Sequence, residues 1–314
     1  MTGLRKLGGR TWIVTAAALV VLLVVNAVLQ TNFLEPSVVQ SNLTTFLPLV
    51  LVAIGQTYVI LGGDIDLSVG AIVALVNVVT VTVIAALGGD GTAVVVGLLV
   101  GMAVGAGCGL VNGLIIAGLR FQPIVTTFAT SIVFSGLALW VLPQAGMPVP
   151  EPYWRTYAGT VAGVPTVYVI YLLAFLIAAF LAARPFMTRL KAVGGLRTAA
   201  FQTGLELGRL RVSAFMLSGL FGAFASLCLT GETASGDPLM GQTLAMSAIS
   251  AVVLGGTALA GGVGGTLGSV LGAWVVGMIG SVIFFAGLPF EYQTLVQGLI
   301  ILAALAGGVL VTRR

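Results

Sequence analysis

The sequence predicts an all-α membrane protein, a polytopic bundle of about ten transmembrane helices. Of its 314 residues 59% are hydrophobic and only 7% charged, with a mean hydropathy of +1.16; a soluble domain carries about 25% charged residues. Apolar runs recur along the chain at about 20 residues each, the length that crosses the hydrocarbon core of a bilayer. The 44 glycines would weaken water-exposed helices, but in a membrane they let helix backbones approach closely.

Charge and turn residues cut the runs into ten spans. The first, 12–30, follows a basic head containing Arg5, Lys6 and Arg10. It is longer than a signal-peptide core and no small-x-small cleavage site follows, so it is read as a retained span. Glu35-Pro36 separates it from 43–62, and the stretch "LGGDIDLSVGA" separates that run from 67–88. The turn "LGGDGT" precedes 92–118, Arg120 precedes 122–142, and the Pro-rich "PQAGMPVPEPYW" leads to 164–183. A basic loop, 184–211, is followed by 210–230; "GETASGDP", a glycine run and "GLPFE" then introduce 242–260, 263–286 and 292–311. Nothing outside the membrane is long enough for a soluble domain, so 1–314 is expected to be one transmembrane domain.

The charge is distributed as a membrane topology requires. A formal charge of +4 and a pI near 9.4 are compatible with nucleic-acid binding, but the basic residues fall in short clusters between apolar runs, the signature of the positive-inside rule. With the N-terminus cytoplasmic, an even number of spans must precede each cluster. Four lead to Arg120, six to the loop 184–211 and ten to Arg313 and Arg314, so both termini are expected in the cytoplasm.

The fourth span repeats glycine every fourth residue: Gly97, Gly101, Gly105, Gly109 and Gly113. On a helix these line up as a groove without side chains, a face for tight helix packing. Gly264, Gly268, Gly272 and Gly280 make a second, broken ladder. Cys108 and Cys228 lie inside apolar runs and read as small buried side chains rather than a disulfide or metal site. Histidine is absent, which removes the commonest general base and metal ligand. The nearest approach to a phosphate-binding loop, "AGGVGGTLGS", lacks the lysine such loops need. No ATPase, no metal site and no catalytic residue are expected in this chain.

Two carboxylates two positions apart, Asp64 and Asp66, need an explanation, since each would cost about 2.5–3.5 kcal/mol near a bilayer centre. On a helix they would sit about 200° apart, whereas an extended segment puts both on one side. Two readings follow. Asp66 or Ser68 caps the third span at the interface, or the stretch is a broken element that lines the pathway or stabilises one conformational state through a partner such as Arg120. Other polar residues within spans, Gln56, Asn77, Asn112, Thr126 and Thr130 among them, are the remaining candidates for the pathway or its gate, because polar groups in lipid need partners or water. They are neutral amides and hydroxyls, a lining suited to a neutral polyhydroxyl solute.

Several segments in the same order, "GGDIDLSVGAIVAL", "SAISAVVLGGTALAGGVGGTLGSVLGAWVVGMI" and "VQGLIILAALA", resemble the permease subunits of ribose-type bacterial ATP-binding cassette sugar importers, from about 43 to 311. The family's Gly-Gly-x-Asp-Leu-Ser is matched by Gly62, Gly63, Asp66, Leu67 and Ser68, with Asp64 as an extra acid. Its cytoplasmic coupling loop, typically Gly-Gly-Asn-Glu-Ala-Ala-Ala-Arg-x-Ser-Gly, is matched in "GGLRTAAFQTG" by Gly194, Gly195, Ala199, Ala200 and Gly204, with Thr203 beside them; Leu196, Arg197 and Phe201 depart from it. A helix over 197–206 would place Ala200 and Gly204 on one small-residue face suited to docking in a groove. The resemblance implies a bacterial inner-membrane permease with these partners: a second copy or paralogue, two ATP-binding subunits or one fused double subunit that hold the ATP and magnesium, and an external solute-binding protein. The alternative is an ion-coupled secondary transporter, for which only Asp64 and Asp66 could supply the intramembrane charge.

Overall fold

The computed structural model describes residues 11–289, 291–296, 298, 299 and 302. The elements are α1 (Thr11–Leu29), α2 (Pro36–Leu61), α3 (Val69–Ala86), α4 (Gly91–Gly118), α5 (Pro123–Val141), α6 (Glu151–Ala158), α7 (Thr166–Ala183), α8 (Pro185–Gly195), α9 (Arg197–Gln202), α10 (Leu207–Thr233), α11 (Leu244–Leu254) and α12 (Thr266–Phe285). Eight of these, α1 to α5, α7, α10 and α12, are long and apolar enough to cross a membrane. Proline occupies the first turn of α2, α5 and α8, where its missing N–H costs nothing and its fixed φ suits the helix. Asp90 caps α4 by accepting the Ala93 N–H at 2.7 Å.

Which helix is central follows from which face is apolar. From Phe46 to Leu61 every residue of α2 is buried, as expected of a helix that is hydrophobic all round. Around it stand α10, α12, α11 and α7, while α10 also packs along α4 and α3. By contrast α1, α5 and α7 leave most of their length exposed, the surface that faces lipid or a partner.

The glycine ladder of α4 forms two close contacts in succession. A Cβ at Gly97 would come within 2.4 Å of Ile84 and one at Gly101 within 2.4 Å of the Thr80 hydroxyl, both on α3. At Gly105, Gly109 and Gly113 it would meet Ala223, the Phe215 carbonyl and Val212 on α10, at 2.5, 2.3 and 2.7 Å. The second ladder places Gly268 and Gly272 of α12 against the Gly255 and Ala251 carbonyls at the end of α11. Cys108 and Cys228 are buried free thiols.

The span expected over 242–260 is not one continuous helix. Its helix is α11, eleven residues long. Before it, the chain descends beside α3 without helical structure: Gly236 lies against Val81 and Gly241 against Val73 and Gly70. Between these contacts the chain turns: Met240 donates its N–H to the Asp237 carbonyl at 3.1 Å, and the Gly241 carbonyl accepts the Leu244 N–H at 2.9 Å. At its upper end this segment is held by β1 (Met147–Pro148), which pairs antiparallel with β4 (Ser235–Gly236), Met147 opposite Gly236 and Pro148 opposite Ser235. A second small hairpin joins β2 (Thr160–Val161) to β3 (Val164–Pro165). The last span, 292–311, lies mostly outside the described residues, as do Arg5, Lys6, Arg10, Arg313 and Arg314.

Candidate coupling site

At one end of the bundle four chain segments meet: the linker 62–68 between α2 and α3, the turn 119–122 before α5, the loop 184–211 carrying α8 and α9, and the glycine-rich turn 255–265. The close approach is backbone on backbone. Gly262 donates its N–H to the Leu61 carbonyl at 3.0 Å. A Cβ at Gly194 would lie 1.9 Å from that same carbonyl, and one at Gly261 2.8 Å from Gly63. Gly63 itself closes α2 with φ +77, a left-handed conformation that favours glycine.

From this junction the two carboxylates go separate ways. Asp64, 2% exposed, receives Arg211 as a fork, Nε to Oδ2 at 2.7 Å and Nη2 to Oδ1 at 3.1 Å. Arg197 of α9 also contacts Oδ1 and donates to the Gly63 carbonyl at 3.1 Å. Asp66 turns into the protein instead. It accepts the Ser68 N–H at 2.9 Å and hydroxyl at 2.6 Å on Oδ1, and the Ser218 hydroxyl of α10 at 2.8 Å on Oδ2. Asn112 of α4 donates to the Ser68 hydroxyl at 2.7 Å, and Thr127 of α5 accepts the Leu67 N–H at 3.1 Å. A buried non-helical linker needs partners for its backbone, and Asp66 and Thr127 supply them for the Ser68 and Leu67 N–H groups.

Several sequence expectations are corrected here. The partners of Asp64 are Arg197 and Arg211, not Arg120; Arg120, with φ +58, lines a cleft of about 870 Å³ together with Arg197, Arg211, Phe121 and Phe201. The two acids share no hydrogen-bonding side chain, because the chain turns between them. Ser68 stands at the start of α3 but makes no side-chain cap; it serves Asp66. The helix expected over 197–206 ends at Gln202, since Gly204 adopts φ +79. Ala200 faces inward and is 4% exposed, while Phe201 and Leu196 stand out at 71% and 62%. Ala199, Thr203 and Gly195 are exposed, and Gly194 is half-buried in the backbone junction.

Thr126 and Thr130 lie beside the Arg120 turn, in a cleft shared with Arg120, Phe121 and Gln122. Asn77 of α3 replaces the partners missing from the broken span: its amide donates to the Thr230 hydroxyl at 2.7 Å and the Ser235 carbonyl at 3.2 Å, and its oxygen accepts the Asp237 N–H at 2.7 Å. Gln56 is fully buried, and neither of its amide atoms has a hydrogen-bond partner; Thr126 Oγ1 and Asn112 Oδ1 are likewise unpaired. Thr130 is buried and donates to the Thr127 carbonyl at 3.2 Å. Sequence reasoning missed a hollow of about 410 Å³ at the opposite end, lined by Ser37, Gln40, Ser41, Thr44, Tyr157 and Glu232. The signal was present in the spacing: 37, 40, 41 and 44 are one face of a helix. Among the described residues no group of three or more Asp, Glu, Cys or His is placed to hold a metal.

Comparison with known proteins gives consistent relatives. The chain is 35% identical over 290 residues to the ribose import permease protein of Bacillus subtilis (strain 168), covering 91% of this chain and 89% of that protein. It is 33% identical over 275 residues to the L-arabinose ABC transporter permease protein of Azospirillum brasilense, covering 87% and 80%. It is 32% identical over 283 residues to the D-allose transport system permease protein of Escherichia coli (strain K12), covering 88% and 83%. No solved structure matches. With residues 38–305 matching its family pattern, this multi-pass membrane chain belongs to the family described as the permease component of the branched-chain amino acid transport system.

Proposed function

We propose that this chain is the membrane subunit of a bacterial ATP-binding cassette importer for a sugar or related polyhydroxyl solute. The observation that carries this reading is the similarity along nine-tenths of the chain to the ribose import permease, joined to a loop, 184–211, that rests on the junction of the broken spans. In this reading the arginine-rich end is cytoplasmic, the exposed Phe201 and Leu196 of α9 dock on an ATPase subunit, and ATP and magnesium are held by that partner. The opposite end receives solute from a binding protein, and two permease copies or paralogues share the assembly.

The neutral character of the unpaired buried groups, Gln56, Asn112 and Thr126, and of the hydroxyls in the outer hollow supports an uncharged solute. The two acids suit an ion-coupled carrier poorly. Asp64 is already met by two guanidinium groups, and Asp66 by three donors. Nucleotide binding can drive such a bundle only by favouring one of its states over another.

The test is reconstitution in liposomes with the co-purifying ATPase and with binding proteins loaded with ribose, arabinose or allose. Stimulated ATP turnover together with uptake is expected for at least one of them. Uptake that persists without ATP and collapses with an ion gradient would overturn the assignment.

A further inference from the structure

We propose that Asp64 is a positioning residue for energy coupling: one carboxylate clamps α9 to α10 and to the α2–α3 linker, so that the docking helix and the broken spans move as a unit. The inference rests on the reading above, in which α9 meets the ATPase. Its physical basis is the asymmetry of the cluster. Two guanidinium groups from different elements converge on one nearly inaccessible carboxylate, one 14% and one 44% exposed. Arg211 forms a two-bond fork, the geometry in which a guanidinium is most firmly oriented. Arg197 joins from the loop and adds a bond to the Gly63 carbonyl.

What Arg197 holds is otherwise loosely attached. Of the six side chains of α9 only Ala200 is buried; Thr198, Ala199, Phe201 and Gln202 are exposed. The helix is also too short to be stable alone. Its orientation is therefore set by Arg197 and Ala200 on one side and by the backbone junction at Gly194 on the other. Asp64 and Arg197 are also two positions at which the sequence departs from the pattern of the family it resembles. One departure adds an acid and the other replaces an acid by a base, and in space each charge neutralises the other.

Removal of Arg197 leaves Asp64 paired with Arg211, so the fold tolerates it. Reversal of its charge puts two carboxylates together. The clamp thus predicts a series ordered by charge, Arg197→Lys mildest, Arg197→Gln intermediate and Arg197→Glu most severe. Hydrogen exchange of the purified permease reads it directly. In Arg197→Gln, amides of 197–204 should exchange about fivefold faster, the size of a partly exposed ion pair, while those of α4 stay unchanged. In the complex with its ATPase, binding proteins loaded with ribose, arabinose or allose give the solute moved per ATP hydrolysed. That ratio should fall in the same order while the ATPase still co-purifies. In an Asp64→Asn background the further effect of Arg197→Glu should shrink sharply, because like charges no longer meet.

Equal exchange in all three variants, or an order that ignores charge, would overturn the clamp. Failure of the unmodified permease to recruit any ATPase would instead overturn the functional reading, and the exchange data would still judge the clamp.

Discussion

At the scale of single residues, buried polar side chains knit together the places where the helices break. Asp66, Ser68, Ser218 and Asn112 close the linker between α2 and α3, and Asn77 closes the break before α11. All five are fully buried, so removing one strands the others where no water competes. For Asp66→Ala, which leaves the Ser68 and Ser218 donors without an acceptor, a loss of about 3 kcal/mol is expected, visible as a lower melting temperature in detergent. That Asp64 and Asp66 are unusual could be read from the sequence, because charge is costly among apolar runs. The partners of Asp64 could not, since Arg197 and Arg211 lie 133 and 147 positions away along the chain and only tertiary packing brings them to the carboxylate.

At the scale of elements, the helices were legible where apolar runs met clear punctuation, and the glycines of α4 lie against α3 and α10. A matched pair of substitutions tests that face. Gly109→Val drives a side chain toward the Phe215 carbonyl, 2.3 Å from the first added carbon, and should cost about 1–3 kcal/mol. Gly107→Ala, with nothing within 4 Å, should be neutral or stabilise by up to about 1 kcal/mol; equal melting temperatures for the two would remove the packing argument. The broken span was not legible from hydropathy, because a half-helix preceded by a turn is about as apolar as a full helix. The breakers were present nonetheless: Asp237-Pro238, Gly241 and Gly255-Gly256 interrupt the helical pattern.

At the scale of the whole molecule, the end bearing Arg120, Arg197 and Arg211 gathers the linker, the loop 184–211 and the glycine-rich turn. The even-span reading of the sequence puts Arg120 and the loop 184–211 on one side, and the structure brings them into one cleft. The outward residue of α9 was misjudged by sequence, which favoured the small Ala200 over Phe201, because the loop's inward face depends on the junction beneath it. Phe201→Glu, at a side chain 71% exposed, should leave the melting temperature unchanged but lower co-purification of the ATPase at least severalfold. Undiminished recovery of the ATPase would place the docking contact elsewhere.

At Gly194, Gly261 and Gly262 the joint is main chain against main chain. It therefore has no rotamers to rearrange when the loop shifts: a push at the periphery arrives at the interior undamped, like thrust through a dry hinge. The same bareness makes it intolerant, since even one methyl group would prise the leaves of that hinge apart.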